Sequence, residues 1–260
     1  ARLAGGSNRV DIRQLMVTTD RSTFDFSGGI GARPAAAGAN PAYRFELVSK
    51  ESRLAPSESP EPAMNFIARI GGTYDIVTRT LSADQIGVKS GQQGEVLGRA
   101  AVQFLPGKAP GISLSFDVRD MSVAHVKQLW PWFSARNARL WVLQNVFGGR
   151  VAEGNVQFNV VPDRLGNGVP LNAQEVFGKF RLEGARFDIA GRIPPVRDAV
   201  GEVEFRGNDV DVSLSSGTVF MPSGRTVAAS NGKLKVVKAN VSPVIGALDI
   251  DVAGSADAVA

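Results

Sequence analysis

Residues 202–214 read EVEFRGNDVDVSL, and this stretch decides the fold class. Val203 and Phe205 alternate with charged residues, and the alternation starts again after Gly207-Asn208. Successive side chains of a β-strand point to opposite faces, so each run predicts a strand with one apolar and one polar face. The two-residue Gly-Asn step between the runs predicts an antiparallel hairpin.

The same alternation recurs on both sides of this hairpin, in short runs at roughly ten-residue spacing. No alternation of strands with helices is visible, which disfavours a parallel doubly wound sheet. The pattern therefore predicts a mainly β protein with a meandering antiparallel sheet. The apolar positions that we expect to line its dry face are Ile112, Leu114, Phe116, Val156, Phe158, Val203, Phe205, Val210, Val212 and Leu214.

A long antiparallel sheet with one apolar face has to curl, stack or close, because a wide flat sheet exposes too much apolar surface. The alternation is compatible with a sandwich, a barrel or a half-open groove. A filled core and a lined groove give the same pattern of apolar residues. The residues alone leave these architectures open.

Residues 121–150 read MSVAHVKQLWPWFSARNARLWVLQNVFGGR, and they contain all three tryptophans. Ser122 is a suitable cap for a first short helix that runs to Trp130, and Pro131 cannot continue that helix. We expect this helix, and a second helix that follows it in the chain, to pack on the sheet or to narrow its apolar interior.

A second helix is predicted from Ser134. Its apolar stripe would contain Leu140, Leu143 and Phe147, and Gly148-Gly149 would end it.

The chain divides into five predicted segments. Residues 1–54, 64–120 and 151–260 are predicted to be β-segments, residues 121–150 a helical insertion, and residues 55–63, APSESPEPA, a loop. Because the sequence starts without Met, we expect it to be a segment of a longer protein.

The residue inventory argues against catalysis. The chain has no cysteine and one histidine, His125, so thiol nucleophiles, zinc–thiolate sites and multi-histidine metal sites cannot form within it. No Gly-x-Ser-x-Gly elbow or phosphate-binding loop is present. The net charge of +4 is mild and without basic runs, which disfavours nucleic-acid binding. We therefore expect no enzyme activity, no cofactor and no metal.

Residues 114–160 resemble the central region of the AsmA-like/YhdP-like bacterial envelope proteins. The residues that carry the resemblance are Leu129-Trp130-Pro131, Arg139-x-Trp141 and the exit Gly148-Gly149-Arg150-Val151. Residues 184–217, with their Ile-Pro-Pro turn followed by two alternating strands, resemble the same family. The resemblance extends over about residues 64–237.

This resemblance implies an elongated, curved, half-open antiparallel β-groove with two short helices near the middle. It also implies the periplasmic part of an inner-membrane-anchored protein, the anchor lying outside this segment, which conducts phospholipid between the inner and outer membranes. The implied partners are phospholipid acyl chains, with membrane proteins at the two ends of the parent chain. The alternative is a structural or protein-binding β-module, a closed sandwich without lipid.

Overall fold

The computed structural model describes residues 2–3, 9–19, 21–33, 40–130, 136–188, 194–221, 223–241 and 243–255, and the side chains of residues 2–3 and 136–138 are not described. Within these ranges the chain forms strands with two short helices. The strands are β1 (Arg2–Leu3), β2 (Arg9–Thr18), β3 (Thr23–Arg33), β4 (Ala42–Leu54), β5 (Met64–Asp75), β6 (Thr80–Ser90), β7 (Gly94–Gln103), β8 (Gly111–Ser122), β9 (Val146–Phe147), β10 (Arg150–Val160), β11 (Val176–Phe187), β12 (Val196–Arg206), β13 (Asp209–Phe220), β14 (Thr226–Val236) and β15 (Gly246–Ala253). The helices are α1 (Val123–Leu129) and α2 (Arg136–Asn145).

The strands pair in chain order, from β1 to β8 and then from β10 to β15, while β9 pairs separately with β11. The sheet is antiparallel, and among the described strands β1 and β15 are its ends, so it is open rather than closed. This arrangement confirms the predicted fold class of a mainly β chain with an open antiparallel sheet and two short helices. Most neighbouring strands are joined by short connections, as in a meander, whereas α1 and α2 lie between β8 and β10, and residues 161–175 connect β10 to β11.

The chain forms two compact units. The first contains Ala1–Glu58, Pro62–Asp117 and Val156–Val169, and the second contains Ser59–Glu61, Val118–Asn155 and Pro170–Ala260. The division falls within strands β8 and β10.

The first unit buries alternate residues of its strands. On β5, Met64, Phe66 and Ala68 are buried while the residues between them are exposed. The Phe24 ring on β3 meets the Phe66 ring edge-on, with 6.2 Å between the ring centroids. An irregularity in β4 is closed by a 2.7 Å hydrogen bond between the hydroxyls of Ser49 and Ser52. The alternation of apolar and polar residues in the sequence thus places the apolar side chains on one packed face of the strand.

The second unit contains the hairpin from which the fold class was predicted. β12 ends at Arg206 and β13 begins at Asp209, which confirms the two-residue turn. Gly207 has φ +61°, a backbone conformation that favours glycine. Asn208 donates from its side-chain amide to the Leu171 carbonyl at 2.7 Å, which ties the turn to the segment that precedes β11.

The first helix matches its prediction. Ser122 caps it, with its hydroxyl accepting from the His125 backbone N–H at 3.2 Å, and Trp130 is its C-cap.

The second helix differs from its prediction at its end. It ends at Asn145, because Val146 and Phe147 pair with Phe187 and Arg186 of β11. The Gly148-Gly149 pair is therefore not the helix stop but lies between β9 and β10, and Phe147 does not continue the helical stripe. The predicted start at Ser134 lies outside the described residues.

Candidate functional site

A row of apolar side chains crosses five strands of the second unit. Phe180 on β11 lies opposite Val203 on β12, and Val203 lies opposite Val212 on β13. Val212 in turn lies opposite Leu234 on β14, and Leu234 lies opposite Leu248 on β15. Directly paired residues of antiparallel strands share a face, so these five side chains form one continuous apolar strip.

A second row runs beside the first. Phe205 lies opposite Val210, and Val210 lies opposite Val236. On its other side Phe205 pairs with Gly178, and a Cβ atom on that glycine would come within 2.4 Å of the phenyl ring. The Phe205 ring therefore occupies the space that any side chain at residue 178 would need.

The two helices supply a further part of the wall of a cavity that these rows line. α1 and its C-cap contribute Val123, Val126, Lys127 and Trp130, while α2 contributes Trp141 and Val142. The cavity has a volume of about 380 Å³, within the range of about 300–1,000 Å³ typical of small-molecule sites. All of its lining residues belong to the second unit.

Three aromatic rings stack across the cavity wall. The rings of Trp130 and Phe205 are nearly parallel, with centroids 5.6 Å apart, and the Phe205 and Phe180 centroids are 6.2 Å apart. Trp130 is further held by Arg139, whose Nε donates to the Trp130 carbonyl at 3.1 Å. This contact links the two helices, so Trp130 of the Leu-Trp-Pro element meets Arg139 of the Arg-x-Trp element.

Lys127 is the charged residue among the described residues that line the cavity. Its side chain is 2% exposed, and its Nζ donates to Glu61 Oε1 at 2.6 Å. The ammonium also lies 3.4 Å from the Leu143 carbonyl and 4.7 Å from the centre of the Phe147 ring. An apolar cavity with one buried, paired cation at its wall is suited to an amphiphilic ligand.

Residues 59–61 form part of this site because the α1 helix holds Glu61 by two groups. Besides the ion pair, the side-chain amide of Gln128 donates to the Glu61 backbone carbonyl at 3.0 Å. Ser59 is 1% exposed. This part of the predicted 55–63 loop is thus an ordered element of the second unit.

The predicted lining residues fall into three groups. Val203, Phe205, Val210 and Val212 line the cavity. Leu214 lies on the same strand between Gly201 and Gly232, and it is not one of the lining residues. The remaining five lie in the first unit and outside the cavity: Ile112, Leu114, Phe116, Val156 and Phe158.

The helical motif residues are also near the cavity. Trp130 and Trp141 line it, Leu129 is half-buried and Arg139 is 3% exposed. Pro131 lies outside the described residues. Sequence reasoning missed Lys127 and Glu61, because no local signal connects two residues that are 66 positions apart.

The polar face of the sheet carries ion pairs rather than a catalytic arrangement. Lys179 donates to Glu202 at 2.9 Å, and this hydrogen bond raises the pKa of Lys179 above its ordinary value. Glu204 accepts from Arg206 at 2.6 Å. These carboxylates lie on the wet face, as predicted. Across the described ranges there is no group of three or more His, Asp or Glu side chains that would hold a metal ion.

The single histidine is not among the cavity-lining residues. Burial lowers the pKa of His125 below its ordinary value of 6.5, because the charged imidazolium is disfavoured where water is excluded. Its backbone N–H donates to the Ser122 hydroxyl, which caps α1. Its position indicates a packing role for the side chain.

Comparison of the chain with family models, curated proteins and solved structures finds no match. Neither helix of the described chain has the length and apolar character needed to cross a bilayer.

Proposed function

We propose that the protein binds phospholipid acyl chains in this apolar cavity and conducts phospholipid between the inner and outer membranes, without catalysing a reaction. In this proposal the chain is the periplasmic part of a protein anchored in the inner membrane. The observation that carries the proposal is the cavity itself, whose walls are Val, Leu, Phe and Trp side chains from one sheet face and two helices.

The energetics favour this use of the cavity. Exposing one CH₂ group to water costs about 0.8 kcal/mol, so a tail of a dozen carbons in water costs roughly 10 kcal/mol. Transfer of that tail from a bilayer to an apolar cavity exchanges one apolar environment for another and removes most of this barrier. A conducting site needs no tight binding, which agrees with the small number of polar groups at the cavity wall.

The resemblance of residues 114–160 and 184–217 to the AsmA-like/YhdP-like envelope proteins supports the same proposal. The residues that carry it include Trp130, Arg139 and Trp141, which lie at or beside the cavity. The family-like motif and the apolar cavity thus occupy one part of the molecule.

A second candidate is a protein-binding β-module. Its support is a group of exposed apolar side chains that follow β14: Val237, Val241 and Ile245 are 51%, 50% and 72% exposed. Exposed apolar clusters often mark partner-binding surfaces. The closed-sandwich form of this alternative has less support, since the described strands pair along one path and not as two facing sheets.

The proposal is tested by photocrosslinking from two neighbouring positions of β13. Val212 lines the cavity, whereas Ser213 is exposed and points to the opposite face. A photoreactive phenylalanine analogue is placed at either position in bacterial cells, and lipid adducts are identified by mass spectrometry after purification. We expect phospholipid adducts at position 212 and none at position 213.

Equal labelling at both positions would mean that lipid contacts the surface without entering the cavity. Absence of adducts at both positions, with adducts recovered from a known lipid carrier in parallel, would reject lipid binding. With the analogue placed at Val237 in a third variant, crosslinks to another protein would favour the second candidate.

A further inference from the structure

We propose that the cavity takes an amphiphile whose anionic head group binds Lys127, and that Glu61 occupies the head-group position until the ligand displaces it. The inference rests on the proposed function, because it requires the cavity to hold an acyl chain. It adds a ligand class, a head-group site and an autoinhibitory contact.

The first support is the position of the Lys127 ammonium. A lysine that is 2% exposed beside an apolar cavity is unusual, since a buried cation requires a paired anion. Here the anion is a single carboxylate oxygen of Glu61, at 2.6 Å. A ligand carboxylate or phosphate presents the same chemical group, an anionic oxygen that accepts from an ammonium.

The second support is that Lys127 has contacts that survive the exchange. The Leu143 carbonyl, 3.4 Å from Nζ, belongs to α2, and the Phe147 ring, 4.7 Å away, belongs to β9. These groups keep the ammonium in place whether Glu61 or a ligand is bound. The head-group site is therefore preformed, and only the anion changes.

The third support is the unequal burial of the two partners. The Glu61 side chain is 15% exposed while that of Lys127 is 2% exposed. Moving the Glu61 carboxylate outward returns it to water, which solvates it fully. The buried ammonium stays paired throughout, because the incoming oxyanion takes the vacated place. The exchange thus avoids an unpaired buried charge, the most costly intermediate.

A ligand with an uncharged head cannot make this exchange. It would leave the Glu61–Lys127 pair intact and would bind by its tail alone. The proposal therefore predicts that charge at the head group changes affinity at constant tail length, and that Glu61 opposes the charged ligand only.

The test compares decanoate, decyl phosphate and decanol, which share one tail. Affinities are measured by displacement of a neutral apolar dye from the wild-type chain and from Glu61→Gln, Lys127→Arg and the double variant Glu61→Gln/Lys127→Gln. Thermal unfolding of each variant establishes that it is folded. The double variant leaves no unpaired charge at this site, so it avoids the destabilisation that neutralising Lys127 alone would cause.

In Glu61→Gln, we expect the affinity for decanoate and decyl phosphate to rise by about tenfold, since a hydrogen bond to a charged group contributes about that much. Decanol affinity should not change. Lys127→Arg should keep the preference for the charged ligands, and the double variant should bind all three alike. A preference for decanoate alone would identify a carboxylate site, and a preference for decyl phosphate alone would identify a phosphate site.

Equal affinities for the three compounds in the wild type and in every variant would overturn the inference while leaving the apolar cavity, and thus the proposed function, in place. A lower decanoate affinity in Glu61→Gln would overturn it as well, because Glu61 would then assist the ligand. If decanol and the dye also fail to bind, both proposals are rejected.

Discussion

The indole of Trp130 lies almost parallel to the phenyl ring of Phe205, with the ring planes inclined by 19° and the centroids 5.6 Å apart. This contact joins the helical insertion to the sheet. Phe205 is 4% exposed, and its ring also stacks against the ring of Phe180. Phe205 therefore connects the C-terminal end of α1 to the face of the sheet.

Truncation of this phenylalanine should be costly. We expect Phe205→Ala to reduce the free energy of unfolding by about 3–5 kcal/mol, the usual cost of removing a buried phenyl ring. Phe205→Leu retains most of the apolar area but loses the stacking, and it should cost about 0.5–1.5 kcal/mol from that loss. Urea unfolding followed by tryptophan fluorescence measures both. An unchanged free energy of unfolding in Phe205→Leu would show that ring stacking contributes nothing.

The glycine beneath the Phe205 ring should not tolerate a methyl group. A Cβ at Gly178 would lie 2.4 Å from ring carbons that the aromatic stack holds in place. Gly178→Ala should therefore destabilise the chain by about 1–3 kcal/mol, the range for overpacking. The matched control is Gly71→Ala, where the nearest atom to the new methyl group would be 4.0 Å away. A neutral Gly178→Ala in thermal unfolding would contradict the close contact.

The hairpin of β12 and β13 could be predicted because its signals are local. The alternation of Val203 and Phe205 with charged residues specifies the faces, and Gly207 supplies the turn conformation. The cavity could not be predicted in this way. Its location depends on the register of five strands and on where two helices pack, and neither is encoded by residues that are neighbours in sequence.

The end of α2 and the Lys127 site also depend on contacts between residues distant in sequence, which a local pattern does not reveal. Helical periodicity continues to Phe147, but pairing of Val146 and Phe147 with β11 ends the helix at Asn145. Lys127 reads as an ordinary polar position of an amphipathic helix. Its burial depends on Glu61, which is distant in sequence, so a local pattern carries no trace of it.

Replacing one partner of the Glu61–Lys127 pair should lower the free energy of unfolding more than replacing both partners does. Lys127→Met leaves the largely buried Glu61 carboxylate without its cation, and we expect a loss of about 3 kcal/mol, near the lower end for buried pairs because Glu61 retains some contact with water. The double variant Glu61→Gln/Lys127→Met should regain most of that loss. Urea unfolding of both single variants and the double variant completes the cycle. Strictly additive losses would show that the two charges do not interact.

His125 should lower the free energy of unfolding at mildly acidic pH. Burial lowers the pKa of His125 below 6.5, so the unfolded chain binds a proton at a higher pH than the folded chain does. The free energy of unfolding should therefore fall as the pH drops below the ordinary histidine value. Between about pH 5 and 7, where few other side chains titrate, His125→Gln should show a flatter dependence. Identical slopes in the two proteins would assign the pH dependence elsewhere.

Two carboxylates should change the stability of the folded state at a lower pH than His125 does. They provide a reference that the His125→Gln substitution should leave unchanged. The hydrogen bond from Arg69 lowers the pKa of Glu46, and the backbone N–H of Thr78 lowers that of Asp75. Groups with a lowered carboxyl pKa stabilise the folded state above their unfolded pKa and lose that contribution as the pH falls through the folded value. The decrease in the free energy of unfolding caused by protonation of these carboxylates should be the same in the wild type and in His125→Gln.

A carboxylate in the cavity should weaken binding of an alkyl tail, whereas a carboxylate one residue further along the strand should not. Val212 lies between Val203 and Leu234 on the cavity wall, while Ser213 is exposed and lies opposite Lys233 on the polar face. Desolvating a polar group without a partner costs about 1–3 kcal/mol in proteins, so Val212→Asp should weaken decanol binding by about tenfold or more. Ser213→Asp should leave it unchanged. Decanol carries no charge, so head-group repulsion does not enter the comparison. Equal weakening in both variants would place the bound tail outside the cavity, because only residue 212 faces it.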